Sequence, residues 1–350
     1  MCSGMITTVP DIDREGDTMA ATYLGVAFGP YIGPWTGTPP QATTPPWNSY
    51  SRQDIVRMLE IIAPSFNKIS TYGMGYAGYY SSSTPWNQVD SNCRIADAAA
   101  QLNQQQGKIA IAVSQGIYQQ ATPDLQQAEI AAAFAAAEAA NSMFANTVTT
   151  LVFTNEYVTD ATTTSAVTAM LNTNKSKANG LNLKVGVRSQ TFGQLTNPDC
   201  PYLAQLQLLV RNCDVILCNL YPPNPPGTIQ DSVRSLTQAF DGIKAAVAGL
   251  NPQCEVMIGE TGWPSAGISF NNSVNNVANA QAYFEAIKQW AAQRSIMTYY
   301  FEAIDEAWKS NQNASVPPAA PWQGPNGAEG HYGIWSVNAG LNYVPKFPAS

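Results

Sequence analysis

Histidine is almost absent from this sequence, with His331 the single example among 350 residues. A Ser-His-Asp triad would have to use it, and a metal site built from several histidines is excluded. The chain also lacks HExxH, GxxxxGK[ST] and a GxGxxG after a strand, so these protease, P-loop and dinucleotide-binding signatures are missing. Carboxylates are therefore the simplest candidates for chemistry, and we expect neither a metal nor a cofactor.

Charged residues are scarce too, at 12% of the chain, with a formal net charge of -7 and a pI of about 4.7. Because a typical domain has about 25% charged residues, this surface must take its polarity from Asn, Gln, Ser and Thr. Such a surface suits an extracellular protein with a cleft that faces sugar. The negative charge repels polyphosphates, so we expect no nucleic-acid partner.

No apolar run approaches the length of a transmembrane span, and Met1–Arg14 lacks the apolar core of a signal peptide. Either a signal peptide has been removed or the protein is not exported by that route. Three N-x-[ST] sequons begin at Asn174, Asn271 and Asn313. Together with the composition they favour a secreted or cell-wall protein, which we expect to be a monomer without a membrane span.

The six cysteines show neither CxxC nor a zinc-ligand spacing. Six cysteines permit about fifteen pairings, so connectivity cannot be read from the sequence. Four of them fall between Cys200 and Cys254. Given the extracellular signs we predict one or two disulfides there, with buried free thiols as the alternative.

Short apolar runs rich in β-branched residues alternate eight times with longer helical patterns. Nearly continuous apolar runs are typical of parallel strands that are covered on both faces. The repeats predict an α/β fold closed into a (β/α)8 TIM barrel. A doubly wound open sheet is the alternative, but its Gly-rich nucleotide turn is missing. The predicted strands are Tyr23–Phe28, Lys68–Tyr72, Lys108–Val113, Thr149–Thr154, Lys184–Arg188, Asp214–Leu220, Glu255–Gly259 and Met297–Ala303. The predicted helices are Arg52–Ile62, Asn92–Gln106, Asp124–Ala140, Ser165–Ala178, Tyr202–Arg211, Ile229–Ala248 and Val274–Arg294.

No segment looks like a linker, so we predict a flexible N-terminal lead at 1–20 and a single barrel domain at 21–350. Two Pro-rich stretches, Gly29–Trp47 and Asn311–Gly330, follow the first and eighth strands. They are predicted to be long loops at the C-terminal face of the barrel, where enzymes of this fold place their active sites.

Two glutamates fall where apolar strands should end. Glu156 follows Asn155 after the fourth strand, and Glu260 follows the seventh, before a Gly-Trp-Pro turn. Because strand ends converge at one mouth of a barrel, these side chains should meet there. Two carboxyl groups about 5–5.5 Å apart cleave a glycosidic bond with retention of configuration. We predict Glu156 as the acid/base, Glu260 as the nucleophile and Asn155 as a hydrogen-bonding partner of a sugar hydroxyl.

A dense charged set follows the eighth strand in Y-Y-F-E-A-I-D-E-A-W-K, with Glu302, Asp305, Glu306 and Lys309. We interpret it as sugar-binding or supporting groups, with a structural ion-pair network as the alternative. Aromatic residues also crowd the strand ends and the loops after them, where rings can stack on the apolar faces of sugars. For any single ring the alternative is packing in the core. The aromatic residues predicted to face the cleft are Tyr31, Trp35, Trp47, Tyr72, Tyr76, Trp86, Tyr221, Trp263, Trp308 and Trp322.

The motifs at these strands resemble glycoside hydrolase family 17, the β-1,3-glucanases and glucanosyltransferases. The resemblance extends in order over roughly Tyr23–Pro345 and implies a barrel with Glu156 as acid/base and Glu260 as nucleophile. It also implies Tyr221 as the tyrosine of the sixth strand. Departures are Ala307, where proline is usual, and T-N-E-Y in place of G-N-E-V. The matching motifs are Gly25–Tyr31, Asn155–Glu156, Asn219–Pro222, Glu260–Ser265, Phe301–Lys309 and Gly330–Trp335.

By this resemblance Glu302, Glu306 and Lys309 belong to the site, and Tyr31, Tyr72, Asn155, Tyr221 and Trp263 complete the predicted substrate contacts. The expected function is a retaining glycosidase on β-1,3-glucan, acting by endo-hydrolysis, by transglycosylation or by both. One alternative is a β-1,4 or mixed-linkage glucanase of a related barrel family. Another is a non-catalytic β-glucan-binding protein, although both glutamates are intact.

Overall fold

A computed structural model describes residues 23–30, 50–74, 92–221, 228–268, 274–310, 327–337 and 342–349. Within them, eight parallel strands pair in chain order and the eighth returns to the first, so the sheet is a closed barrel. The predicted single-domain (β/α)8 barrel is thereby confirmed. The barrel strands are β1 Leu24–Ala27, β2 Lys68–Ser70, β3 Ala112–Ile117, β4 Val148–Asn155, β5 Lys184–Ser189, β6 Val215–Asn219, β7 Glu255–Thr261 and β8 Thr298–Tyr300.

Helices connect the strands and cover the outside of the barrel. The first begins where its local sequence predicts, because Ser51 and Asp54 form a reciprocal capping box. An antiparallel pair, β9 (Trp335–Val337) and β10 (Tyr343–Pro345), follows the barrel. The helices are α1 Arg52–Ile62, α2 Ile95–Gln106, α3 Pro123–Met143, α4 Ala161–Gly180, α5 Leu203–Asn212, α6 Ile229–Leu250 and α7 Val277–Arg294.

The third strand lies further along the chain than the sequence pattern predicted, at Ala112–Ile117 rather than Lys108–Val113. The middle of this strand is polar, so a search for apolar runs did not include it. Ser114 points into the barrel and its hydroxyl lies 2.7 Å from the Tyr299 hydroxyl. The Ser114 hydroxyl is thus accommodated inside the barrel because it has a hydrogen-bond partner there.

Most apolar side chains of the described residues fall into two layers, and a third, small cluster of Ala27, Phe301 and Tyr332 lies apart from them. The larger one lies between the strands and the surrounding helices. A smaller cluster fills the inside of the barrel, where Val152, Val215, Leu217, Met297 and Tyr299 are all buried. This packed interior is typical of TIM barrels and leaves the C-terminal ends of the strands as the place where polar side chains can gather.

The predicted disulfides are not formed among the described cysteines. All five of these are buried, and none is bonded to another described cysteine. Cys213 and Cys218 behave as apolar core residues, and burial raises the pKa of both thiols. The crowding of Cys200–Cys254 in the sequence therefore reflects small buried side chains before α5, before and within β6 and before β7 rather than a covalent framework.

Several predictions concern residues outside the described ranges. These are the N-terminal lead at 1–20, the loop Gly29–Trp47 beyond residue 30 and the loop Asn311–Gly330 before residue 327. In the part of the chain that is described, no helix has the length and apolar character needed to cross a bilayer.

Candidate active site

Glu156 and Glu260 lie at the same end of the barrel. Glu156 directly follows β4, and Glu260 is the penultimate residue of β7. Asn219 ends β6 and is the register partner of Glu260. Its Nδ2 also donates to Glu156 Oε1 over 2.9 Å. The structure thus brings together the two side chains that the sequence singled out as a pair, with Asn219 between them.

The end of β4 is irregular, so that the consecutive residues Asn155 and Glu156 both face the mouth of the barrel. Thr154 and Glu156 have positive φ angles of 62° and 53°, and the register against β5 shifts between Phe153 and Asn155. Such a bulge re-aims side chains, and left-handed non-glycine residues cost about 1–3 kcal/mol each. A hydrogen bond of 3.1 Å from Glu156 N to the Arg188 carbonyl stabilises this irregular end of the strand.

Glu260 is a buried carboxyl group, only 5% exposed, with two differently placed oxygens. Its Oε2 accepts a hydrogen bond of 2.9 Å from the Tyr221 hydroxyl. Its Oε1 has no hydrogen bond from any described residue but lies 3.5 Å from Arg188 Nε. Burial raises the pKa of Glu260, Arg188 opposes that shift, and Glu156 adds to it. One oxygen is therefore held by the Tyr221 hydroxyl, and the other is buried beside the Arg188 guanidinium.

Arg188 is the site residue that the sequence reading missed. It lies on β5 with no exposed side-chain surface, and its Nε donates to Asn155 Oδ1 at 2.8 Å. Its two terminal nitrogens donate to Ser70 Oγ at 2.9 Å and the Thr71 carbonyl at 2.8 Å. The sequence did contain a signal for this residue. Arg188 ends the apolar run K-V-G-V-R, and a residue in a strand that is covered on both faces is buried.

The charged set after β8 forms one cluster that faces the mouth. Lys309 Nζ lies 2.5 Å from Glu306 Oε2 and 3.9 Å from Glu302 Oε2. Burial raises the pKa of Glu302 well above its usual range; Lys309 opposes the shift and Glu306 adds to it. Asp305 is separate, since it pairs with Lys346 at 2.7 Å. Three of the four residues predicted here thus meet near the glutamate pair.

Glu329 joins this cluster from a short 3₁₀ turn, Ala328–His331, and was not predicted. Burial raises the pKa of its carboxyl group, Lys309 opposes the shift, and Glu306 and Glu156 add to it. The side chain is therefore within electrostatic range of both the strand-8 set and Glu156. Its position just before the G-H-Y-G-I-W motif was the signal that could have identified it.

Aromatic side chains form the wall beside these carboxyl groups. Tyr221 packs edge-to-face against Phe301 and Tyr332, with ring centroids 6.2 and 6.0 Å away. The Tyr72 ring is stacked against the Arg188 guanidinium at 4.2 Å. Of the two tyrosines predicted from the sequence, Tyr221 therefore lies against Glu260 and Tyr72 lies against Arg188.

Trp263 and Tyr31 are the other two aromatic residues that the sequence predicted as substrate contacts. Trp263 is 6% exposed, packs at 5.6 Å against Tyr283 of α7, and donates through Nε1 to the Val274 carbonyl at 3.2 Å. Its contacts are those of a residue that anchors the turn after β7. Tyr31 lies outside the described residues, as do five of the other loop aromatics.

A closed parallel barrel with a pair of glutamates at the carboxyl ends of two strands defines the class of barrel glycosidases. A family model described as the BtgE/BtgC glycoside hydrolase domain matches residues 41–333. The chain belongs to this family, and the resemblance to glucan-active glycoside hydrolases seen in its motifs is confirmed.

Curated relatives match over shorter stretches. A glucan 1,3-beta-glucosidase of Candida albicans is 30% identical over 113 residues, which is 30% of this chain and 32% of that protein. A glucan 1,3-beta-glucosidase of Saccharomyces cerevisiae is 25% identical over 144 residues, 39% of this chain and 41% of that protein. The chain thus spans well under half the length of these relatives.

Solved structures share the fold over most of their length. A beta-1,3-glucanosyltransferase of Rhizomucor miehei, a glycoside hydrolase family 17 protein, has a TM-score of 0.61 at 20% identity and covers 94% of this chain and 98% of its own. An endo-laminarinase of Formosa has a TM-score of 0.66 at 17% identity, with 90% and 84% covered. At these identities the likeness concerns the barrel itself.

Proposed function

We propose that the protein is a retaining glycosidase that acts on β-1,3-glucan by hydrolysis within the chain, by transfer of a glucanosyl group, or by both. The observation that carries the proposal is the meeting of Glu156 and Glu260 at one mouth, joined through Asn219 and Arg188. The relatives named glucan 1,3-beta-glucosidase and beta-1,3-glucanosyltransferase support the choice of substrate.

In the first step a carboxylate oxygen of Glu260 attacks the anomeric carbon, so a carbon–oxygen bond to the enzyme forms as the glycosidic bond breaks. Glu156 gives its proton to the departing sugar oxygen. In the second step Glu156 takes a proton from a water molecule or a sugar hydroxyl. That oxygen then displaces Glu260, which leaves as a carboxylate. Water as acceptor gives hydrolysis, and a sugar hydroxyl gives a longer glucan.

Asn155 is placed to bind the sugar that reacts. Its Oδ1 accepts from Arg188 Nε at 2.8 Å and faces Asn219 Nδ2 at 3.5 Å. With the carbonyl oxygen engaged, the Nδ2 group is left as the donor to a sugar hydroxyl. A hydrogen bond to the hydroxyl next to the reacting carbon strengthens in the transition state.

The remaining predicted contacts complete a glucan-binding cleft in this proposal. The aromatic wall offers ring faces for sugars, and the strand-8 cluster offers charged hydrogen-bonding groups. Low charge and the sequons support a secreted or cell-wall protein, and we propose that it acts as a monomer. The proposed substrate contacts are Tyr31, Tyr72, Asn155, Tyr221, Glu302, Glu306 and Lys309, while Trp263 is proposed to support the cleft by anchoring the turn after β7.

The test is incubation with laminari-oligosaccharides, followed by sizing of the products and proton NMR of their anomeric configuration while fresh. Products of retained β configuration are expected, and products longer than the substrate would show transfer. Parallel incubations with lichenan and cellulose test the β-1,4 and mixed-linkage alternatives. An inverted product would contradict the double displacement, and binding without turnover would favour the non-catalytic alternative.

Glu156→Gln and Glu260→Gln are each expected to lower turnover by at least about 10³-fold, because the first removes the proton donor and the second removes the nucleophile. Far-ultraviolet circular dichroism and the unfolding midpoint should stay close to those of the wild type. Glu138→Gln, at an exposed position of α3, is the matched control and should keep full activity. Near-normal turnover in either site variant would refute its assigned role.

A further inference from the structure

Arg188 is an unusual residue to find inside a barrel, because none of its side chain is exposed. A buried cation is costly unless its donors are satisfied and an opposite charge is near. Here three donors have hydrogen-bond partners, and the one carboxylate within ion-pair distance among the described residues is Glu260. The charge therefore faces the reacting end of the barrel.

One residue, Arg188, contacts both proposed reacting glutamates and Asn155. Arg188 Nε donates to Asn155 Oδ1 and lies 3.5 Å from Glu260 Oε1. The backbone carbonyl of Arg188 accepts from Glu156 N at 3.1 Å. Its terminal nitrogens are bound to Ser70 and to the Thr71 carbonyl after β2, so the guanidinium is fixed from the opposite wall of the barrel.

The neighbouring sequence leaves room for this side chain. A Cβ on Gly259, the residue before Glu260, would lie 3.1 Å from Arg188 Cδ and 2.8 Å from Asn219 Oδ1. A side chain there would press on both residues at once. On another side the Tyr72 ring stacks on the guanidinium at 4.2 Å. The site is thus built around an arginine of fixed orientation.

We propose that Arg188 is the positioning residue of this site: its guanidinium keeps Glu260 an anion ready to attack, and it fixes the amide of Asn155 toward the sugar. This inference rests on the proposed function, since it assigns what prepares the nucleophile for that reaction. Arg188 is assigned no contact with the sugar and acts through the two side chains that it orients.

The charges around Glu260 oppose one another. Burial and Glu156, after β4, favour the neutral acid. Arg188 of β5 opposes them most strongly, and the Tyr221 hydroxyl after β6 and Lys309 after β8 act in the same sense as Arg188. Tyr72 after β2 also faces Glu260 but bears no charge in the working pH range, because its pKa lies well above 10. Removing Arg188 should therefore let Glu260 take up a proton at a higher pH.

The experiment compares the pH profile of kcat/KM on laminari-oligosaccharides for the wild type, Arg188→Met and Arg188→Lys. Loss of the cation should move the acid limb of Arg188→Met up by about one pH unit or more. Arg188→Lys keeps a cation but loses the planar fork, so its limb should stay near that of the wild type while kcat falls about tenfold. Arg294→Met, which breaks the outer pair with Asp241, is the matched control with an unmoved limb.

A carboxyl NMR titration separates this inference from the proposed function and from misfolding. With ¹³C-labelled glutamate, the Glu260 signal is assigned by its loss in Glu260→Gln, and its titration is followed in the wild type and both arginine variants. A higher titration midpoint in Arg188→Met supports the inference even if no glucan is turned over. If Arg188→Met does not fold, the Lys variant must still show lower kcat with an unmoved midpoint. Equal losses at every pH with an unchanged Glu260 midpoint would overturn it.

Discussion

Tyr221 donates the hydrogen bond that holds one oxygen of Glu260, at 2.9 Å. This bond favours the ionised form, so it lowers a pKa that burial has raised. Tyr221→Phe should therefore raise the pKa of Glu260 further. Because attack needs the anion, activity is lost as pH falls through that pKa. The acid limb of kcat/KM should then move to higher pH by about half a unit, with kcat at the optimum reduced about tenfold.

Tyr283→Phe is the matched control for this prediction. Tyr283 of α7 is also buried, and its hydroxyl bonds Thr261 Oγ1 at 2.6 Å rather than a carboxyl oxygen of Glu260. Loss of that hydroxyl should cost stability without moving the acid limb. An acid limb shifted equally in both variants would show that general destabilisation, rather than the bond to Glu260, controls the profile.

At the residue scale, the sequence predicted the glutamate pair better than its surroundings. Glu156 and Glu260 stand out because a charged residue at the end of an apolar strand has few explanations. Arg188 was not found because its partners are distant along the chain, with Ser70 lying 118 positions away. Which strand residues point into the mouth depends on strand tilt and register, and these are set only when the barrel closes.

At the element scale, the bounds of an element were predicted correctly where they depend on neighbouring residues, and wrongly where they depend on residues distant in the sequence. The bounds of α1 were predicted correctly because its capping box lies within four consecutive residues. The helix α4 starts four residues before the prediction, because Asp160 caps it with Thr163 in the place where Glu is usual. The strand β3 was misplaced because its polar residues find partners far along the chain, with Ser114 bonded to Tyr299 and Gln115 to Thr71.

The turn after β7 depends on the absence of a side chain at Gly262. A Cβ there would lie 2.0 Å from the Phe301 carbonyl oxygen at the end of β8. Gly262→Ala should push apart the two strand ends that carry Glu260 and Glu302. We expect a loss of about 1–3 kcal/mol in the free energy of unfolding, measured with urea, and a larger fractional loss of activity.

Gly249→Ala tests whether glycine replacement alone explains such a loss. Nothing lies within 4 Å of a Cβ at this position near the end of α6. Alanine is also the better helix former, so this variant should be unchanged or more stable by up to about 1 kcal/mol. If Gly262→Ala were as stable and active as Gly249→Ala, the close approach of β7 and β8 would not be required.

At the scale of the whole molecule, the C-terminal segment ties the loops of the mouth together. Lys346 Nζ donates to Asp305 Oδ1 and Ser265 Oγ, each at 2.7 Å, and to the His331 carbonyl at 3.2 Å. Asp305 lies after β8, Ser265 lies after β7, and His331 lies just before β9. The family model ends at residue 333, so this lysine joins the matched region from outside it.

Lys346→Met is expected to destabilise the barrel and to weaken the site from a distance. The lysine and Asp305 side chains are each 10% exposed, so removal of the cation leaves a buried carboxyl group without its partner. Breaking a buried pair in this way costs about 3–5 kcal/mol. The measurement is the urea midpoint, together with turnover at a temperature where both proteins remain folded.

A control variant and a double variant test whether the loss of stability comes from the unpaired carboxylate of Asp305. Lys244→Met, at an exposed position of α6, should leave stability within about 0.5 kcal/mol of the wild type. Lys346→Met combined with Asp305→Asn removes both charges, so it should be less destabilised than Lys346→Met alone if the unpaired carboxylate is the cause. Additive losses would mean that the two residues stabilise the barrel independently. The mouth loops would then be held by packing, such as that of Phe347 against Phe284 at 5.6 Å, and not by this ion pair.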